Sequence, residues 1–491
     1  MRKLLHRGRN GSASALLALL PFALACVDAN DELAPMFDSE VLLRVDVGAS
    51  ALPDDPITHV GVRAWDETHR LVLDDFTEID RYENSRYFRF FVDPDFDGSV
   101  ESRTVRVEVE LFSASMCPRG REIRTYRFEN GQQLPGVAIE DDPAHANCIS
   151  GFVEMDGPGR DCEPTAPCAS PWQASGVAFS RLATDEEGDR LESERQRLVV
   201  VYIRGGTIID DAESFLARRR RIFRAWPGTV LPEGQDGPTP PILRGNRDGD
   251  EALDATLVVR RGHQTFELDG LIFEGSSEGV AILRRVATGG LRNCALRSEG
   301  TAPLVAIETE DSEVDVDMGG GLLVLEHNVF EDAEVAVEIR EGNENWRILL
   351  QANRFTNVGT GIRVESSRPA IEVRANTFCN ARDAALVSAS DDETLPVLLV
   401  QDNAFIDGSV GVRAVEQASS LTLQANSFAG QRSASLELQT AAPIAIEQNL
   451  FETLPPAATG NVEGRVEREG CFVVPSGAGG VCRDFPACGR P

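Results

Sequence analysis

Six segments in the C-terminal half of the chain follow one pattern: EHNVF ending at Phe330, QANRF at Phe355, RANTF at Phe378, QDNAF at Phe405, QANSF at Phe428 and EQNLF at Phe451. Successive phenylalanines are 25, 23, 27, 23 and 23 residues apart. Seven and five residues before each Phe stand two apolar residues, from Leu323 and Leu325 in the first copy to Ile444 and Ile446 in the last. Two before it stands asparagine every time: Asn328, Asn353, Asn376, Asn403, Asn426 and Asn449. Two degenerate copies come earlier, ELDGLIF with Phe273 and LRNCAL with Leu296. A period of this length marks an array of stacked units.

The alternation within each unit has period 2, so each short run is a strand with one buried face. A unit of about 23 residues holds two or three such strands and cannot bury its apolar face alone, so the units must stack. Parallel stacking brings equivalent residues to about 4.8 Å. Phe then stacks on Phe, and each Asn amide can bond to the next. A phase shift between the apolar pair and the Asn/Phe pair marks a bend. Beyond it a further strand points Val337 and Ile339, Ile362 and Val364, and Val412 and Ala414 inward. Leucine-rich repeats would show LxxLxL and a helical half, and propeller blades run to about 40 residues.

The runs LVVVYIRGGTI (Leu198–Ile208), RIFRAWPGTVLP (Arg221–Pro232), PILRG (Pro241–Gly245) and TFELDGLIFEG (Thr265–Gly275) lead into the repeats. Together they resemble the right-handed parallel β-helix (pectin-lyase-like) family over roughly residues 155–491. The resemblance implies fold far more than activity, because the matching residues are core and turn positions. Residues 41–150 read as a separate β-sandwich-like domain. In RTVRVEVELF, Val105, Val107, Val109 and Leu111 share one face, while Arg106, Glu108 and Glu110 share the other, as in a half-buried antiparallel strand. The fold class expected is therefore all-β, a small antiparallel sandwich followed by a right-handed parallel β-helix.

At the N-terminus, Arg2, Lys3, Arg7 and Arg9 precede an apolar run from Ala13 to Ala25. Residues 1–25 read as a signal peptide, since the run is too short to span a bilayer. Cys26 follows Ala23-Leu24-Ala25 and resembles the lipid-attachment site of a bacterial lipoprotein, with residues 26–40 as a polar tether. The expected location is the bacterial outer membrane or cell surface through that lipid, or otherwise the periplasm or medium. Cysteine usage fits an oxidising compartment. Cys117–Cys148 and Cys162–Cys168 are the expected staples, the latter in a linker over residues 151–196. The coil proper is placed at 197–462, and a cap with Cys471, Cys482 and Cys488 at 463–491.

The formal net charge is -31, which excludes a phosphate-binding surface and hence nucleic acid or anionic lipid as a partner. Lys3 is the only lysine. The mature chain therefore cannot run a lysine-based polysaccharide lyase mechanism. A lyase using arginine and Ca²⁺ would need aspartates on outward positions of adjacent coils. The outward positions instead show Glu338 and Arg340, Arg363 and Glu365, Arg413 and Glu437, which read as cross-strand pairs. Asp391-Asp392 is a lone acidic pair in the longest unit, and Arg218–Arg221 a basic run. Asp93, Asp95, Asp97 and Glu101 occupy oxygen positions of an EF-hand-like loop, with Gly98 at the turn and Thr104 where a bidentate Glu belongs. They are the candidate Ca²⁺ ligands. The reading favours an exported protein that binds a polysaccharide or a cell-envelope component on a long sheet face. The alternative is a Ca²⁺-dependent lyase or glycoside hydrolase acting on an acidic polysaccharide.

Overall fold

The structure is a computed structural model. It describes residues between 40 and 473, apart from residues 68, 80–84, 93–102, 129–132, 143–147, 182–196, 211–213, 217–220, 232–236, 246–254, 261, 276–278, 286, 299, 309–320, 341–345, 366–368, 391–396, 417–419, 441–443, 452–465 and 470–471. Cys26, the Asp93–Glu101 loop, Asp391, Asp392 and Cys471, Cys482 and Cys488 lie outside the described residues, as do Arg218 to Arg220.

The chain is a right-handed parallel β-helix with an antiparallel sandwich docked on its flank. Among the described residues the sandwich pairs a three-stranded sheet with a four-stranded one. The first holds β1 (Glu40–Val47), β4 (Ser85–Phe91) and β7 (Val137–Ile139). The second runs β3 (Leu71–Glu78), β2 (Ile57–Trp65), β5 (Arg103–Ser113) and β6 (Pro118–Phe128). Val41, Leu43 and Val45 of one sheet meet Val60, Val62, Val105, Val107, Val109 and Leu111 of the other in one core. Period-2 alternation supplies that face.

The coil is built on three sheets of 14, 11 and 9 strands among the described residues, parallel except where Pro158–Glu163 pairs antiparallel with Ala166–Cys168 at the edge of the first, and each repeat gives one strand to each. The first sheet begins at Cys148–Val153, which pairs in parallel with Leu198–Ile203. The coil thus starts ahead of residue 197, because the Cys148 strand already has the geometry of a rung. Val466–Glu469 and Phe472–Val473 extend the first and second sheets beyond residue 462. The stretch expected to be a linker also holds a helix, Pro171–Ser180. Pro171 opens it and Ser170 caps it, its Oγ accepting from the Trp172 N–H at 3.2 Å. Ala174 and Ala178 bury against the first rungs, so the helix closes the N-terminal end of the apolar interior. An open end would expose strand edges and core side chains to water.

Two left-handed bends shape each repeat. The residue before each ladder Asn (His327, Ala352, Ala375, Asp402, Ala425, Gln448) has φ between 51° and 56°. A second such bend falls two residues after Phe, at Asp332, Asn357, Asn380, Asp407 and Gly430. For residues other than Gly this conformation costs about 1 kcal/mol or more. The asparagines offset it. Asn353 Nδ2 donates to Leu325 O at 2.8 Å and to Asn376 Oδ1 at 3.0 Å, while its Oδ1 accepts from the N–H and Nδ2 of Asn328 at 2.9 and 3.0 Å. The same bonding runs from Asn328 to Asn449, all buried. The rings of Phe330, Phe355, Phe378, Phe405, Phe428 and Phe451 stack at 4.6–4.9 Å and within 4–11° of parallel. Gly361 and Gly411 make room: a Cβ there would come within 2.8 and 2.7 Å of the Phe378 and Phe428 rings.

Candidate functional site

The polar face of β5 does not meet water. It lies on the first sheet of the coil, and this corrects the half-buried reading of RTVRVEVELF. The physical reason is complementary charge. Arg63 donates to Glu108 at 2.8 Å and to Asp269 at 2.7 Å. Arg224 pairs with Glu110 at 2.6 Å and with Asp269 at 3.2 Å. Arg121 reaches Glu108 at 2.8 Å, and Arg106 donates to Asn293 Oδ1 at 2.7 Å. Burial alone would raise the Asp269 carboxyl, but Arg63 and Arg224 hold it down to about 2. Glu108, also buried, is held well below its usual range by Arg121 and Arg63.

Beside this network lies an aromatic cluster of Phe112, Phe152 and Tyr202, with Phe76 and Trp226 against it. Tyr202 donates its hydroxyl to Met116 O at 2.7 Å. The Cys117–Cys148 disulfide crosses the same junction and ties the β5–β6 turn to the first rung, and Cys162–Cys168 closes a tight loop at the N-terminal end of the coil. Both pairings are those expected from the sequence. Gly270 (φ 70°) sits where a Cβ would come within 3.0 Å of Arg63 Nη1, so the turn and the buried ion pair both require glycine.

Where the β2–β3 turn overhangs the second sheet, a cleft of about 610 Å³ opens between the two domains. The sandwich contributes Arg63, Trp65, His69, Arg70 and Asp74 to its wall, and the coil contributes Asn293, Arg297, His327, Glu331 and Arg354. Arg106 lies over the Trp65 ring, 3.8 Å from its centroid. The His69 and His327 rings are 6.1 Å apart. Both imidazoles are kept neutral at physiological pH: burial, then Arg106 and Arg354, push His69 down to about 3. Burial, then Arg106 and His69, push His327 down to about 2. The sequence gives no hint of this meeting, since the two histidines sit far apart in the chain and only the docking of the domains brings them together.

The ladder residues Asn328 to Asn449 and Phe330 to Phe451 face the coil interior and reach no cleft. The outward residues of the third sheet pair as ions: Arg340 with Glu338 at 2.6 Å, Arg363 with Glu338 at 3.3 Å, and Arg413 with Glu437 at 2.7 Å.

These features define a class, a right-handed parallel β-helix protein carrying an N-terminal antiparallel sandwich. Residues 301–461 are similar to a family described as "Periplasmic copper-binding protein (NosD)". Among solved structures, the tailspike protein 3 of bacteriophage CBA120 is similar at 10% identity and a TM-score of 0.26. That similarity covers 66% of this chain and 62% of the tailspike chain, so this chain spans less than two thirds of it. A family 28 exopolygalacturonase of Yersinia enterocolitica is similar at 8% identity and a TM-score of 0.17, over 85% of this chain and 91% of that one. No curated protein matches the chain.

Proposed function

We propose that this is an exported envelope protein that binds a glycan in the cleft between sandwich and coil, with the coil as its rigid support. The observation that carries the reading is the cleft itself. It has one wall from each domain, about 610 Å³ of space, and hydrogen-bonding side chains on both walls. A largely preformed concave site with a few placed polar groups is where a ligand binds by default. Export is supported by the two disulfides and by the periplasmic description of the matching family. Lipid attachment at Cys26 completes the reading. Labelled fatty acid should enter the wild type and not Cys26→Ser.

The binding reading is favoured over a Ca²⁺-dependent lyase or hydrolase because several outward carboxylates among the described residues of the coil are already paired. Glu338, Glu372 and Glu437 each have an arginine within 2.7 Å. Ca²⁺ at Asp93, Asp95, Asp97 and Glu101 is a separate proposal. Calorimetry with CaCl₂ should show heat that Asp95→Ala removes.

Copper, which the matching family's description names, does not fit the described residues. Among them no group of three His, Cys, Asp or Glu side chains can share a metal ion. The His69 and His327 rings meet in the cleft, but burial and then the charge of Arg106 lower the basicity of both, and that charge would repel a cation as well. The direct test of the glycan reading is an array of neutral and acidic oligosaccharides probed with the full chain. Binding that Asn293→Ala and His69→Ala weaken supports the cleft. An array without hits removes it.

A further inference from the structure

Resting on the glycan reading, we infer that the ligand is an acidic sugar, a uronate or a sulfate ester, whose anionic group sits on Arg354 beside the His69 and His327 rings. Arg354 occupies an outward position of the second sheet, where the neighbouring coils carry Val329 and Thr377. The coil therefore does not need a charge there. The sandwich nevertheless covers it to 8% exposure. Its Nε donates to Thr356 Oγ1 at 3.2 Å, and among the described residues neither terminal nitrogen has a hydrogen-bond partner and no carboxylate lies within 4.0 Å. Glu331, Asp66 and Glu67 act on it only from farther away, and burial pulls its pKa down.

The other arginines of the cleft are already used. Arg63 is held by Glu108 and Asp269, Arg70 by Asp66 at 3.2 Å, and Arg297 by Glu274. Two polar atoms nearby, Arg106 Nη1 and His327 Nδ1, are buried without a hydrogen-bond partner among the described residues, Arg106 Nη1 having only Glu108 at 3.9 Å. Terminal guanidinium nitrogens that face a cleft without an acceptor are open to a ligand, and an oxyanion is the group they bind most strongly. Neutral imidazoles can donate an N–H to the same anion. Carboxylate and sulfate share this chemistry, since each offers two or more oxygens to a planar guanidinium.

Calorimetry at pH 7 can decide it, using the full chain with trigalacturonate, its methyl ester and sodium sulfate. Arg354→Gln is the probe and Arg347→Gln, an exposed arginine, the control. Thermal melts of each variant establish that it is folded. We expect the acid to bind, the ester to bind at least tenfold more weakly, and Arg354→Gln to lose at least tenfold for the acid while Arg347→Gln loses nothing. A response to sulfate and not to the uronide assigns the site to sulfate esters. Equal binding of acid and ester, or a folded Arg354→Gln with unchanged affinity, overturns the anion inference and leaves the glycan reading standing. If no oligosaccharide binds but sulfate does in an Arg354-dependent way, the glycan reading fails and the anion site survives. If nothing binds, both fail.

Discussion

Between Gly321 and Phe451 the coil interior is Leu, Ile, Val and Phe in register, with asparagine amides as the main buried polar side chains. Between Leu198 and Arg297 the same three sheets carry a different cargo. There Arg224 and Asp269 are buried on the outer face under the sandwich, and Arg284 is buried on the third sheet with no hydrogen-bond partner for its three guanidinium nitrogens among the described residues. Burial pushes the Arg284 pKa down to about 9. The first region is held by identical residues repeating on themselves, so each coil supplies what its neighbour needs. The second is held by unlike residues from two domains, so Arg224 and Asp269, which pair with each other, also depend on Glu110 and Arg63 of the sandwich. Repetition gives a fold that tolerates extension, whereas complementarity gives one joint that cannot be moved.

The comparison predicts unequal costs. The largest should come from Asp269→Ala, which strips one carboxylate from both Arg63 and Arg224. Removing one side of a buried ion pair costs about 3–5 kcal/mol. Denaturant unfolding should show the sandwich released first, and a single unchanged transition would contradict a load concentrated at the joint. In the repeating region, Asn376→Ala should cost about 2–4 kcal/mol, because it orphans bonding groups in both neighbouring coils. Asn449→Ala, at the end of the ladder, should cost distinctly less, and equal losses would mean the asparagines act one by one. Arg284→Met should raise stability by about 1–3 kcal/mol, since it removes a buried charge without a partner. A lower melting temperature would show that the arginine has found an acceptor.

Acid should separate the regions more gently. Asp269 is held at about 2, below its unfolded value near 3.9, so its contribution is intact above about pH 4 and fades as the pH falls toward 2. His69 and His327 work from the other side. They stay neutral in the fold down to about 3 and 2, while the unfolded imidazoles take protons below about 6.5, so stability begins to decline there. The ladder coils contain no such groups in their core. Hydrogen exchange at pH 4 to 5 should therefore rise at the joint before it rises around Phe378.

The coil was readable in the sequence because its determinants are local and repeated. Leu323, Asn328 and Phe330 recur at fixed spacing, and no other architecture places them so. One clue to the joint was also present: Leu198–Ile203 is apolar on both faces, the mark of a strand covered on both sides. The partner surface left no comparable mark. Arg106, Glu108 and Glu110 alternate with valines just as they would on a solvated sheet, and only the arrival of Arg224 and Asp269 distinguishes the two cases. The cleft was illegible for the same reason, since Arg354 stands where the neighbouring coils have Val329 and Thr377 and becomes conspicuous only once the β2–β3 turn covers it.

The asparagine ladder has a sense of direction. Every amide from Asn328 to Asn426 gives one hydrogen to the asparagine of the coil that follows and the other to a carbonyl of the coil before, while its oxygen takes hydrogens from the coil before, starting from the Cys294 N–H at Asn328 Oδ1. At its donor end the row can lengthen only if the newcomer brings an oxygen. At Asn449 the amide turns back on the carbonyl of Glu447, two residues away in its own rung. Finding an acceptor at home, it asks nothing of a further copy, and the row of identical units acquires a terminus written in a single side chain.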